Sequence, residues 1–287
     1  MVHVGGVTVT GRSVAQNAQL ALLLEVSGTP KPGNVDRERE YDDLRFEHFM
    51  AGAVGARSGL DQAAAGDSIG PAFETAVEGM AGQSGGNTQF GALLVLTPLV
   101  ATAADGRLSP SGADAVVRET TVEDAAAFYR AFEHVDVAVD DPPDGLEPLD
   151  VRRGSDAVPE LRARDMALFD VMESSADIDG VAAEWVSGFE RVFEASEWLL
   201  DRSGPVANRA SEVFLELLAA EPDTFVVTRQ DRETAEEVQE RAQAVLDGDG
   251  DATDLAEEFV RRDINPGTTA DLVAGSLFVA LERGLDV

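Results

Sequence analysis

The sequence predicts an all-α protein, a single multi-helix bundle with one long irregular loop. Apolar residues recur at helical three- and four-residue spacing in eight segments. Strand-like runs are scarce, with 2–10 and 224–227 the only short candidates. Helix formers such as Ala, Glu and Leu are abundant, whereas aromatics make up 6% of the chain. Closely approaching helices with a small-residue core follow from that composition.

Taken in order, the periodic segments are 14–26 and 44–54, then 91–104, which is nearly apolar all round. That stretch contains Pro98 and falls short of the roughly 20 residues a bilayer requires, so it reads as a buried core helix. Segment 122–135 opens on Thr121-Val-Glu-Asp124, a capping box in which a hydroxyl and a carboxylate satisfy free amides at a helix start. Segments 181–200, 210–220, 234–246 and 269–281 follow. The last is preceded by Thr268-Thr-Ala-Asp271, a second capping-box pattern, and is closed by Gly284. Residues 136–160, rich in Asp, Pro and Gly, read as an irregular loop or a lid. The length allows one or two domains, and the continuous pattern favours one over 1–287.

Composition bounds the partners. With 22 basic against 54 acidic residues the formal charge is −32, while 44% of residues are apolar, so the chain folds and its charge lies on the surface. Such a surface repels itself unless salt screens it, which points to a halophilic cytoplasm. Nucleic acid and anionic membranes are unfavourable partners, because the arginines are scattered among excess carboxylates. No cysteine is present, so disulfides, cysteine-zinc sites and thiol nucleophiles are out of reach. The start, Met-Val-His-Val-Gly-Gly, lacks the pattern of a signal peptide, and a cytoplasmic location is expected. His3, His48 and His134 share no metal-ligand spacing. The sequence allows an oligomer without specifying one.

Of the 22 basic residues only Lys31 is a lysine, and it sits in Thr-Pro-Lys-Pro-Gly at 29–33. The prolines stiffen the backbone and Gly33 permits positive φ or close ligand approach. An exposed Lys31 on this turn suits a phosphate, and Glu25 or Asp36 suits a divalent cation or a proton. A helix C-terminal turn with a solvated lysine fits the same residues. A second polar segment, Gln83-Ser-Gly-Gly-Asn-Thr-Gln-Phe-Gly91, leads into the apolar helix. Its glycines expose amides, and Asn87 and Thr88 add side-chain partners for an anion. Near the C-terminus Asp271 reads as either a cap or a ligand for metal. Asp223-Thr224, followed by Arg229, reads as a metal and phosphate pair or as a turn with a surface arginine.

In this order the segments resemble the triphosphoribosyl-dephospho-CoA synthase family, the CitG/MdcB type. Its pattern is a glutamate, T-P-K-P-G-x-V-D, G-x-N-T-H-K-G before an apolar helix, a D-T segment followed by a basic residue, and a late P-G-x-x-A-D-L. Here these stand as Glu25, Thr29-Pro-Lys-Pro-Gly-Asn-Val-Asp36, Gly85-Gly-Asn-Thr-Gln-Phe-Gly91, Asp223-Thr-Phe-Val-Val-Thr-Arg229 and Pro266-Gly-Thr-Thr-Ala-Asp-Leu272. The resemblance implies an all-α enzyme that moves a triphosphoribosyl group from ATP to 3′-dephospho-CoA, or a related acceptor, and releases adenine. It implies Mg²⁺, nucleotide contacts from Lys31, Gly33, Asn87, Thr88 and Arg229, metal contacts from Asp36, Asp223 and Asp271, and catalytic work by Glu25, Asp36 and Asp271. The pattern's His and Lys are Gln89 and Phe90 here, and Gln230-Asp231-Arg232 replaces a glycine-rich continuation. Those departures keep two alternatives in view: phosphoribosyl transfer or hydrolysis on another cofactor precursor, and a catalytically silent nucleotide-binding protein.

Overall fold

The computed structural model describes residues 11–143 and 145–287, and every regular element in them is helical. The first seven helices are α1 (Val14–Ser27), α2 (Phe46–Gly55), α3 (Arg57–Ala65), α4 (Ile69–Met80), α5 (Phe90–Ala104), α6 (Pro110–Arg118) and α7 (Val122–Ala131). After two 3₁₀ turns come α8 (Val158–Arg164), α9 (Leu168–Ser175), α10 (Gly180–Ser187), α11 (Glu190–Asp201) and α12 (Val206–Ala220). The chain ends with α13 (Thr224–Arg229), α14 (Arg232–Leu246), α15 (Ala252–Arg261) and α16 (Gly267–Glu282). The strand expected at 224–227 is therefore helical: Asp223 caps α13 through the amides of Phe225 and Val226, outweighing the β-propensity of Val-Val. The other strand candidate, 2–10, lies outside the described residues.

Two helices that are apolar all round, α5 and α16, form the centre. α16 packs against α1, α5, α11 and α12, and α4 packs against α2, α3, α5 and α7 around the other end. One hydrophobic cluster runs from Ala15 to Leu285. Small residues let the axes close: a Cβ on Gly275 of α16 would lie 2.6 Å from Val95 Cγ1 of α5. Pro98 inside α5 cannot donate to the Leu94 carbonyl one turn earlier. The indole Nε1 of Trp185 on α10, fully buried, donates to that carbonyl instead at 3.1 Å.

The capping box at Thr121 is present as expected: its hydroxyl accepts from the Asp124 amide and the Asp124 carboxylate accepts from the Thr121 amide. The one at 268–271 is not. α16 starts at Gly267, and a carboxylate from another element, Asp223, takes the Thr269 amide and hydroxyl at 2.7 Å each. The helix expected over 181–200 is two, broken where Gly188 and Phe189 both take positive φ. The stretch 136–160 is irregular only in its first part; 3₁₀ turns at Glu147–Leu149 and Val151–Ala157 lead directly into α8. No helix among the described residues is long and apolar enough to cross a membrane.

Candidate active site

Between Thr268 and Leu281 of α16 every residue is buried except Asp271, which is partly open. It opens into a cleft of about 240 Å³. Its carboxylate lies against the start of α5, where a Cβ on Gly91 would come within 2.0 Å of Asp271 Oδ2. Glycine at 91 is thus the space that the carboxylate fills. Burial drives the Asp271 pKa well above the usual carboxylate range, the charges of Glu25, Asp223 and Asp179 raise it further, and the Ala92 amide opposes them.

The N-termini of α5, α10 and α16 converge on this point, presenting the positive ends of their dipoles. The junction is stitched by hydroxyls: Thr224 Oγ1 accepts from the Gly180 amide at 3.0 Å and lies 3.0 Å from Thr268 Oγ1. Asp179, the N-cap of α10, accepts the Ala182 amide through Oδ1 and lines the cleft. Glu25 and Asn34 are also part of the cleft wall. Among the described residues no lysine or arginine lines the cleft, whereas Glu25, Asp140, Asp141, Asp150, Asp179 and Asp271 do.

Behind that wall Lys31 is fully buried. Its ammonium donates to Glu25 Oε1 and, at 2.9 Å, to Asn34 Oδ1, and it faces the Phe214 ring 5.8 Å from the centroid. Asn34 in turn donates to Asn265 Oδ1 at 2.9 Å, joining the first and last motifs. Burial raises the Glu25 pKa, against the charge and hydrogen bond of Lys31. The segment after α7 covers the cleft: Val137, Val139 and Asp140 line it, and Asp140 accepts the Thr228 hydroxyl of α13 at 2.6 Å.

The sequence profile of ATP:dephospho-CoA triphosphoribosyl transferase, CitG, matches residues 11–286. The chain belongs to the CitG family. Its fold also resembles the crystal structure of an Archaeoglobus fulgidus protein that carries the provisional name triphosphoribosyl-dephospho-CoA synthase. The identity is 27% and the TM-score 0.67, over 83% of this chain and all of the other. A search of curated proteins returned no match.

For this CitG-family transferase the geometry sorts the expected site residues. Glu25, Asn87, Thr88 and Asp271 come together around the cleft. Lys31 does not lie on an exposed turn as expected, because Glu25 and Asn34 draw its ammonium inward. Gly33, at φ +76°, is pressed against the chain before α16, where a Cβ would meet the Ile264 carbonyl at 2.2 Å. It shapes the turn and does not line the cleft. Asp36 is knotted into its own loop, accepting from Thr29 Oγ1 and from the amides of Lys31, Glu38 and Arg39. Asp223 has its oxygens taken by α13 and Thr269, and burial raises its pKa against those bonds. Arg229 does not line the cleft, and its guanidinium lies 3.8 Å from the Asp263 carboxylate.

Sequence reasoning passed over Asp179, Asn34 and Asn265. The two asparagines stand inside motifs and carried a signal; Asp179 reads in sequence as an ordinary helix cap. Thr88 Oγ1 and both amide atoms of Gln89 are buried without a hydrogen-bond partner in the cleft wall. Phe90, where the family pattern has lysine, joins an aromatic cluster instead, with ring centroids 5.1 Å from Phe73 and 4.8 Å from Phe132.

Proposed function

We propose that triphosphoribosyl transfer from ATP to 3′-dephospho-CoA takes place in this cleft, with the triphosphate held as its Mg²⁺ complex against Asp271 and Asp179. The observation that carries the reading is the charge of the lining. A triphosphate cannot rest beside these carboxylates uncompensated, since unit charges 4 Å apart repel by about 4 kcal/mol even at an effective dielectric of 20. The donor set suits Mg²⁺, which takes one or two carboxylates and completes its shell with phosphate oxygens and water. Among the described residues no three acidic or histidine side chains gather around one point, so phosphate oxygens and water would have to supply most of the ion's shell. Bound there, the ion would neutralise phosphate charge and fix the donor's position.

The protein's own groups account for the rest. Glu25, held in place by Lys31, is the base for the acceptor's 2′-hydroxyl, and its raised pKa makes it a better proton acceptor than a solvated carboxylate. The hydroxyl oxygen bonds to C1′ as the C1′–N9 bond of ATP breaks, and adenine leaves with that electron pair and takes up a proton. Asn34, fixed between Lys31 and Asn265, is placed to orient the ribose. An ATP-binding, Mg²⁺-dependent enzyme of a halophilic cytoplasm is the reading these features support.

The test is release of free adenine from ATP, Mg²⁺ and dephospho-CoA in molar KCl. Glu25→Gln should lower kcat by roughly 10²- to 10⁴-fold. Retained ATP binding without adenine release by the native chain would overturn the reading in favour of a silent nucleotide-binding protein.

A further inference from the structure

The cleft is lined by two kinds of side chain. Asp271, Asp179 and Glu25 supply carboxylates, joined by Asp140, Asp141 and Asp150 of the segment after α7, while Phe90, Phe128 and Phe132 pack together as an aromatic lobe, with Leu149, Val171 and Met172 adding apolar lining. The two kinds meet at the first turn of α5, where Phe90 belongs to the lobe and its neighbour Gly91 carries the contact with Asp271. Phe128 stands edge-on to Phe132, centroids 5.3 Å apart, and Phe132 keeps partial exposure, so the lobe offers ring surface to a ligand.

We infer that this lobe is the subsite for the purine of the donor nucleotide, and that Phe90 fits it for an uncharged planar ring where the family pattern carries a cation. The inference rests on the triphosphate placement proposed above. ATP is polar at one end and flat and uncharged at the other, and its labile bond joins the two parts. With the phosphates at Asp271 and Asp179, a ribose crossing the α5 N-terminus delivers the base to the aromatic lobe and brings C1′ to the boundary, beside Asp271 and facing Glu25. No anionic group of either substrate finds a partner in the lobe, because nothing that lines it among the described residues is basic. Adenine, the neutral leaving group, does: aromatic faces hold a base by stacking without reading its edge.

Calorimetric titration in molar KCl separates the parts. The titrants are Mg·ATP, Mg·tripolyphosphate, adenine and dephospho-CoA, the last because it also carries a purine. Phe132→Leu keeps apolar volume at the half-exposed rim and removes the ring; Phe132→Ala goes further. Each should weaken adenine and Mg·ATP by roughly 5- to 100-fold, while Mg·tripolyphosphate and dephospho-CoA change by less than twofold. Mg·ATP and adenine affinities left unchanged by Phe132→Leu would overturn the inference. So would variants that weaken dephospho-CoA alone, which would give the lobe to the acceptor. If the native chain binds neither Mg·ATP nor Mg·tripolyphosphate, the transferase reading itself falls, and that outcome is distinct from a misplaced base.

Discussion

Removing the one lysine tests stability before it tests binding. Lys31→Met leaves the buried Glu25 carboxylate without its counter-charge, and breaking one half of a buried pair costs about 3–5 kcal/mol. The expected result is a large fall in the unfolding midpoint, and adding Glu25→Leu should restore most of it. A single variant that is inactive yet as stable as the native chain would return Lys31 to a direct ligand role. The turn around this residue was legible in sequence, because two prolines and a lone lysine mark it. Its direction was not, because a neighbouring helix supplies the acceptor and Phe214, 183 positions on, supplies the floor. Asp271 gives the second residue-scale prediction. Its pKa is raised on folding, so the folded state holds the proton more tightly than the unfolded chain, whose carboxylate titrates near 3.9. The stability at stake is therefore full below that unfolded value and lost as pH climbs to the folded one. Asp271→Asn should raise the midpoint at neutral pH, with the gain vanishing towards pH 4, and should abolish adenine release. Mg²⁺ should stabilise the native chain, following ligand concentration over Kd, and have little effect on Asp271→Asn. Equal stabilisation of both would place the ion elsewhere.

At the scale of elements, α5 shows how a sequence defect is corrected by a distant residue. Pro98 frees the Leu94 carbonyl inside the core, and Trp185 satisfies it. Trp185→Phe keeps the ring but leaves that acceptor buried and unpaired, at a cost of about 1–3 kcal/mol plus the lost indole volume. Putting Pro98→Ala into the same chain lets residue 98 donate again, so the double variant should be more stable than Trp185→Phe alone; strict additivity would deny the link. The helices that sequence periodicity picked out are those with long apolar stripes, notably α1, α5, α12 and α16. It passed over α3, α4, α6, α8, α9 and α15, though α4 buries seven of its residues, from Ile69 to Met80. Their buried faces mix large and small side chains, such as Phe73 with Ala72 and Ala76 on α4 and Phe169 with Met172 on α9, and which of them is covered depends on how closely a neighbour approaches, a distance that is not written in the segment itself. A cap such as Asp223 on Thr269 is invisible for the same reason, since it joins residues 46 positions apart.

For the whole molecule the governing quantity is the charge of −32. The arginines are largely engaged in surface pairs, such as Arg241 and Arg262 sharing Glu237 and Glu258. Each such pair contributes at most about 1 kcal/mol and weakens with salt. Salt therefore acts in two directions, loosening pairs while screening the excess negative charge. With 54 acidic residues against 22 basic ones, repulsion is the larger effect, and the unfolding midpoint should rise with KCl. Most of the rise should come below about 1 M, where the Debye length reaches about 3 Å, and NaCl should match KCl if screening is the cause. The same field bears on the substrate. An ordinary triphosphate site is basic, and salt weakens it by competing for the phosphate. Among the described residues this cleft has no basic lining, and the net negative charge of the chain repels an anion at long range. The association rate of Mg·ATP, measured by stopped flow at fixed free Mg²⁺, should therefore increase with ionic strength between 0.1 and about 1 M. A rate that falls with salt would mean that a positive field guides the nucleotide in, and the carboxylate-walled cleft would then be the wrong door.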